Sequence, residues 1–230
     1  MTEINKISVG QNSNNLRKIN KQNPAFKCKG STVGTKQAVL NAIPDEFARM
    51  KKMVVINGSP RKDSISNTYR ALQAEIKYFL EKNPNLKIEY FKLPANMNGC
   101  IDCGHCKPGC VQEGDNFREI VKSMEDSTDV LLGSPVYLDM PTPQTVAFLT
   151  RLNCMAENTN RAFFNNKFIH LVSTAFCSGT KTCIHTMMGA CEMLGFSIGG
   201  RSTREYIYKW NDTKLRGGMT REDAIFLDQK

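Results

Sequence analysis

The sequence predicts an α/β domain on a doubly wound, five-stranded parallel sheet with helices on both faces. Three observations carry this. Short apolar runs alternate with helical periodicity from Met53 to about Ile198, and the connections between them are short. The first run, Met53-Val54-Val55-Ile56-Asn57, is continuously apolar up to its last residue, as a strand covered on both faces requires.

Taken in order, residues 1–50 are rich in Asn, Lys, Gln and Ser and form a polar, basic, weakly ordered extension. A short helix is predicted over Pro44 to Met50, with Pro44 in its first turn and Asp45 and Glu46 at the positive end of its dipole. The domain proper spans residues 51–230. Its first strand breaks at Gly58-Ser59-Pro60-Arg61, and a helix follows from about Ser66. Tyr69, Leu72, Ile76, Phe79 and Leu80 share one face of that helix, and Asn83-Pro84 stops it.

Leu86 to Leu93 is the second strand. Phe117, Ile120, Val121 and Met124 mark a helix, and Asp129 to Gly133 the third strand, ending at Ser134-Pro135. A helix from Pro143 is expected to bury Val146, Leu149 and Leu152. Phe168 to Ser173 is the fourth strand. Thr180 to Leu194 is helical, with Ile184, Met187, Met188, Cys191 and Leu194 inward. Phe196 to Ile198 offers a short fifth strand, and Thr220-x-x-Asp223 a cap for a last short helix.

Composition narrows the function. With 230 residues, 40% of them hydrophobic, the chain can bury one substantial core. It has no apolar run long enough for a membrane-spanning helix, and Met1 to Gly10 lacks a signal-peptide core, so a cytoplasmic protein is expected. The net charge of +9 is unevenly held: residues 1–52 carry ten Lys/Arg against three Asp/Glu, and residues 53–230 carry twenty-one against nineteen. The basic excess belongs to the extension, which argues against a nucleic-acid-binding body; a polyanion-binding extension stays open. Nine cysteines without a secretion signal argue against a disulfide scaffold.

In open parallel sheets, ligands sit beyond the carboxyl ends of the strands. The loop there, Gly58 to Thr68, offers hydroxyls at Ser59, Ser64, Ser66 and Thr68, the Asn67 amide and the first N–H groups of a helix. These are neutral donors suited to a phosphate, with Arg61 able to add charge. The Gly-Lys-Ser/Thr ending of a nucleoside-triphosphate loop is missing, as is the Gly-x-Gly-x-x-Gly turn of a dinucleotide fold.

Ile56-Asn57-Gly58-Ser59-Pro60-Arg61, followed by Ser66-Asn67-Thr68, resembles the FMN-phosphate loop of the NADPH-dependent FMN reductase and iron-sulfur flavoprotein family. Gly133-Ser134-Pro135-Val136-Tyr137 resembles that family's second fingerprint, which borders the isoalloxazine ring. Both motifs stand in the family's order within residues 53–200. The resemblance implies a flavodoxin-like, FMN-binding domain in which Ser59, Arg61, Ser66, Asn67 and Thr68 bind the phosphate and Pro135, Val136 and Tyr137 pack beside the ring. Backbone N–H groups of the second loop are then expected to bond the pyrimidine edge, and Ser173 to Gly179 to close the site from the other side.

Cys100-x2-Cys103-x2-Cys106-x3-Cys110 is the strongest local pattern in the chain. Three readings stand: a 4Fe–4S cluster, a thiol-redox or metal-free loop, and zinc, with or without His105. The family's last spacer is usually longer than Lys107-Pro108-Gly109. If Cys110 does not reach the same iron, one of Cys28, Cys154, Cys177, Cys183 or Cys191 has to complete the set. His170 and His185 are expected to be structural.

The resemblance implies an oxidoreductase in which NAD(P)H or a ferredoxin-type donor reduces bound FMN, with small-molecule acceptors and a dimeric or tetrameric assembly. The competing reading is an electron carrier that turns over no small molecule. A third is a metal-binding or nucleic-acid-associated module resting on the thiols and the extension. No acid–base residue is required or nominated.

Overall fold

The computed structural model describes residues 46–106, 109–210 and 224–228. In chain order these residues form α1 (Glu46–Arg49), β1 (Lys52–Asn57), α2 (Asn67–Lys82), β2 (Lys87–Lys92), α3 (Phe117–Glu125) and β3 (Asp129–Pro135). There follow α4 (Pro143–Thr159), β4 (Phe168–Ala175), α5 (Thr180–Leu194), β5 (Ser197–Trp210) and β6 (Ala224–Asp228). The sheet order is β2-β1-β3-β4-β5-β6. Neighbours from β2 to β5 are parallel, and β6 is antiparallel to β5. This is the doubly wound, flavodoxin-like arrangement that the alternation predicts.

All six residues of β1 are buried, and its period of two feeds two cores. Val54 and Ile56 join Val130, Leu132, Ile169 and Leu171 against α3, α4 and α5. Met53 and Val55 join Leu131 and Val172 against Leu72, Ile76 and Phe79 of α2. Each such side chain contributes roughly 1.5–3 kcal/mol on burial, so the central strands are the rigid base from which the loops at their carboxyl ends project. At the opposite end, Arg49 donates to both Asp129 oxygens at 3.2 and 3.1 Å, and His170 Nε2 lies 3.0 Å from Asp129 Oδ1. His170 is 1% exposed and serves as the structural residue expected.

The structure departs from the sequence reading at four places. β5 runs for fourteen residues rather than three. The polar stretch Arg201 to Glu205 hides it from an apolar pattern, but backbone pairing with β4 resumes at Leu171↔Thr203 after a register shift. Ala224–Asp228 forms a strand where a capping pattern predicts a helix; its backbone pairs antiparallel with the end of β5, Tyr206↔Asp228 to Trp210↔Ala224. Val146 is 37% exposed, and the buried face of α4 is instead Ala147, Phe148, Leu149, Arg151 and Leu152. The helix expected over Pro44–Met50 covers Glu46–Arg49. Residues 1–45, with Cys28, and the capping residues Thr220 and Asp223 lie outside the described residues. Among the described residues, no helix is long and apolar enough to cross a membrane.

Candidate functional site

The loop between β1 and α2 is held from within and from the neighbouring strand. Asn57, fully buried at the end of β1, accepts from the Ser59 N–H at 3.0 Å and donates to Tyr90 Oη at 2.9 Å and Asp63 Oδ1 at 3.2 Å. Tyr90 Oη donates to Asp63 Oδ2 at 2.8 Å, and Lys92 Nζ reaches both Asp63 and the Arg61 carbonyl. Burial and the facing Asp63 carboxylate push the Tyr90 hydroxyl well above its usual range, so it stays a neutral donor. These bonds fix the loop before any ligand arrives.

Within that loop, the five residues expected at a phosphate divide. Ser59 (2% exposed) and Thr68 (1%) are buried, Thr68 Oγ1 lying 2.7 Å from Thr174 Oγ1 at the end of β4. Ser66 is the N-cap of α2, its hydroxyl accepting from the Tyr69 N–H at 3.2 Å. Arg61 is exposed, its backbone N–H bonded to Ser59 Oγ at 3.3 Å. Asn67 accepts from Arg70 Nη1 at 3.1 Å, while its own Nδ2, on a side chain 5% exposed, has no hydrogen-bond partner among the described residues. A buried donor left unpaired costs about 1–3 kcal/mol. Here it sits in the first turn of a sixteen-residue helix, beside the positive end of its dipole. The residues therefore fit a phosphate.

The second loop, Pro135 to Thr142, locks onto the first. Thr142 caps α4, accepts from the Thr145 N–H at 3.3 Å and donates to the Gly58 carbonyl at 2.7 Å, while its N–H bonds Ser134 Oγ at 3.0 Å. A Cβ on Gly58 would lie 2.0 Å from Thr145 Oγ1, so only glycine permits this contact. The peptide N–H groups expected at a flavin edge are partly spent: Val136 N–H bonds Thr174 O at 2.9 Å and Tyr137 N–H bonds Met140 O at 2.8 Å. Leu138 (φ 50°) and Asp139 (φ 62°) form the tip of that turn, both left-handed. Non-glycine residues there store strain of about 1 kcal/mol or more each. Tyr137 is 45% exposed, not a core aromatic, and Leu138 (99%), Met140 (45%) and Phe176 (50%) extend an apolar rim over the carboxyl ends of β3 and β4. That rim and the locked loops fit the aromatic ring of a flavin mononucleotide.

The thiol loop follows β2. Cys100 and Cys103 are exposed, Cys106 and Cys110 half-buried, and all cysteines among the described residues are free. Burial, then the charges of Cys100, Cys103 and Cys110, raise the Cys106 thiol above its usual range. Asp102 (φ 50°) and Gly104 (φ 69°) turn the chain between them. Among the described residues no three His, Cys, Asp or Glu side chains are gathered as a metal site. Four soft thiols stand on one loop, but their sulfurs are not drawn together as a cluster requires. His105 is exposed. Of the alternative fourth thiols, Cys154 of α4 is buried in the core against which Cys106 and Cys110 pack, and burial pushes it up to about 11. Cys183 and Cys191 are buried on α5, pushed to about 11 and about 12, and Cys177 is exposed after β4.

Several residues escape a sequence reading. Thr142 and Thr145 tie the loop after β1 to the loop after β3; the Thr142-Pro143 pair at a helix start is the available signal. Beneath the thiol loop, Thr150 Oγ1 accepts from the Cys100 N–H at 3.2 Å and Asn158 Nδ2 donates to the Cys106 carbonyl. Arg151, 1% exposed, lies between them. Its signal was an arginine on the apolar face of α4, three residues before a cysteine.

The model of the family "NADPH-dependent FMN reductase" matches residues 51–203. An iron-sulfur flavoprotein of Archaeoglobus fulgidus is 36% identical over 104 residues, 44% of this chain and 45% of that protein. An iron-sulfur flavoprotein of Methanocaldococcus jannaschii is 30% identical over 106 residues, 44% of this chain and 51% of that protein. The chain thus matches about half the length of these curated relatives. The crystal structure of RosB with bound 8-demethyl-8-formylriboflavin-5'-phosphate superposes with a TM-score of 0.55 at 17% identity, over 73% of this chain and 68% of that one, and shares the fold.

Proposed function

The chain belongs to the NADPH-dependent FMN reductase family, and from that we propose that it is an FMN-dependent oxidoreductase drawing electrons from NAD(P)H. The observation that carries this reading is the Asn67 amide, a buried and unpartnered donor at the mouth of α2 beside buried Ser59 and Thr68. Ser59, Asn67, Thr68 and the exposed Arg61 take the phosphate. Ser66 contributes by capping the helix whose N–H groups face that anion. Pro135, Val136 and Tyr137 flank the ring, and the strained Leu138-Asp139 tip presents the peptide groups left for its polar edge. Bound FMN supplies the chemistry, accepting a hydride and releasing electrons singly or in pairs; the chain supplies position, a dry floor and fixed dipoles.

Cys100, Cys103, Cys106 and Cys110 hold a 4Fe–4S cluster in this reading, supported by the thiol set on one loop and by the two relatives named as iron-sulfur flavoproteins. The cluster makes the protein an exchanger between one-electron and two-electron partners, a small ferredoxin among them. Residues 51–230 are then the flavin domain, 1–50 an appended basic segment, and a homodimer or tetramer covers the apolar rim. Free thiols fit a cytoplasmic setting.

An anaerobic absorption spectrum with iron and acid-labile sulfide assays tests both parts. Flavin bands with about four irons and four sulfides per chain are expected. Protein that purifies without flavin and gains no thermal stability on adding FMN overturns the flavin reading; flavin without iron overturns the cluster.

A further inference from the structure

The carboxyl end of β4 meets the first turn of α2 at two hydroxyls. Val172 packs in the core beneath α2, and Thr174, two residues on, faces the same way by the period of the strand. Thr174 is 1% exposed, as is Thr68, the second residue of α2. Their Oγ1 atoms lie 2.7 Å apart, and either can donate. Backbone pairing holds Thr174 on both sides, in register with Pro135 and Tyr206, and its carbonyl accepts from the Val136 N–H at 2.9 Å. Its branched side chain has little freedom to turn elsewhere.

Each hydroxyl carries one proton, and the pair shares one hydrogen bond. One of the two protons is therefore left without an acceptor among the described residues, on buried side chains. The neighbouring Asn67 Nδ2 is a second such donor. Unmet buried donors are costly, and two of them in one helix turn call for a ligand that accepts without donating, as a phosphate dianion does. The direction of the Thr68–Thr174 bond decides which proton is offered. If Thr68 donates, the spare proton stays on the strand. If Thr174 donates, the spare proton is on Thr68, beside Asn67 at the positive end of the α2 dipole. A hydroxyl that accepts one bond also donates its own more strongly.

We propose that Thr174 is a positioning residue for the flavin phosphate: it donates to Thr68 and so turns the single Thr68 proton onto the phosphate. It acts through Thr68 and not on the ligand. Its contribution therefore favours the phosphorylated flavin over one that ends in a free ribityl hydroxyl. The inference rests on the FMN reading above, with Thr68 at the phosphate.

The test uses the full chain freed of flavin, titrated with FMN and with riboflavin, each read by quenching of flavin fluorescence. Thr174→Val keeps the volume and removes the donor. FMN affinity is expected to fall about three- to ten-fold, as for one neutral hydrogen bond, while riboflavin affinity holds. Thr174→Ser is expected to restore the wild-type preference. Thr174→Ala removes the donor without a methyl against Thr68, and serves if circular dichroism shows Thr174→Val unfolded. In a Thr68→Val background, Thr174→Val is expected to cost no further FMN affinity. An unchanged ratio of FMN to riboflavin affinity in the folded Thr174 variant overturns the proposal. Further loss of FMN in the double variant overturns action through Thr68. Wild-type protein that binds FMN no better than riboflavin overturns the phosphate reading itself, and this role with it.

Discussion

The phosphate loop and the thiol loop are built in opposite ways. The phosphate loop is fixed largely by its own strand and helix and by neighbours already in the sheet: Ser59 on Asn57, two residues away, Tyr69 on Ser66, three away, Asp63 on Tyr90 and Lys92 of β2. The thiol loop has little regular structure of its own and is carried by α4. Its anchors, Thr150 to Cys100, Arg151 to Cys110 and Asn158 to Cys106, lie fifty, forty-one and fifty-two residues away. Conformational cost is met locally in the first loop and by tertiary contacts in the second. A change in the first should disturb the flavin and spare the thiols, and a change in α4 beneath the thiol loop, at Thr150, Arg151 or Asn158, the reverse.

The harshest trial of that division is Gly58→Ala. Its Cβ would lie 2.0 Å from Thr145 Oγ1 and 3.0 Å from the Gly133 carbonyl, so the two flavin-side loops must part. Overpacking at such a site costs about 1–3 kcal/mol, and loss of flavin is expected alongside it. Urea melts and flavin content per chain measure the two. The thiols should keep the wild-type rate of labelling, and a changed rate would mean the regions are not separate.

Asn67→Ala is a finer probe because it separates affinity from stability. The substitution removes a buried donor without a partner among the described residues, which stabilises, and the oxygen that accepts from Arg70, which destabilises. The two offset, so the melting temperature of the flavin-free protein should stay within a few degrees of wild type. A hydrogen bond to a charged phosphate contributes about 1.5–3 kcal/mol, so flavin binding should weaken roughly ten- to a hundred-fold. Fluorescence quenching of FMN on titration reads this directly. An unchanged affinity would remove Asn67 from the site.

The same contrast explains what the sequence made legible. β1, the loop to α2 and the cap at Ser66 are contiguous, so their chemistry is written in one stretch of eleven or so residues. The four cysteines announce themselves by spacing, yet nothing near them says what holds them. Arg151 reads as one more charged residue on a helix until α4 is placed under the loop. The register shift that lengthens β5 and the pairing of β6 are likewise decided by backbone partners distant in sequence. Polar residues such as Thr142 and Thr145 matter through the neighbouring loop they face, which no local pattern displays.

The smallest expected effect, Leu138→Gly, asks whether the strained tip belongs to the flavin side at all. Leu138 is 99% exposed and left-handed, so its side chain contributes no packing to offset the backbone cost. Glycine adopts that conformation freely, and relief of about 1 kcal/mol is expected, set against glycine's greater freedom in the unfolded chain. The net gain in a urea melt should therefore be a few tenths to about 1 kcal/mol. If the turn is held rigid to aim its peptide groups, flavin affinity should fall by a few-fold even as stability rises, since a glycine tip has more conformations to lose on binding. That opposed pair of signs is what a functional strain predicts. A gain in stability with unchanged flavin affinity would instead make Leu138 a residue of the rim, retained for a surface that packs against it and not for the cofactor.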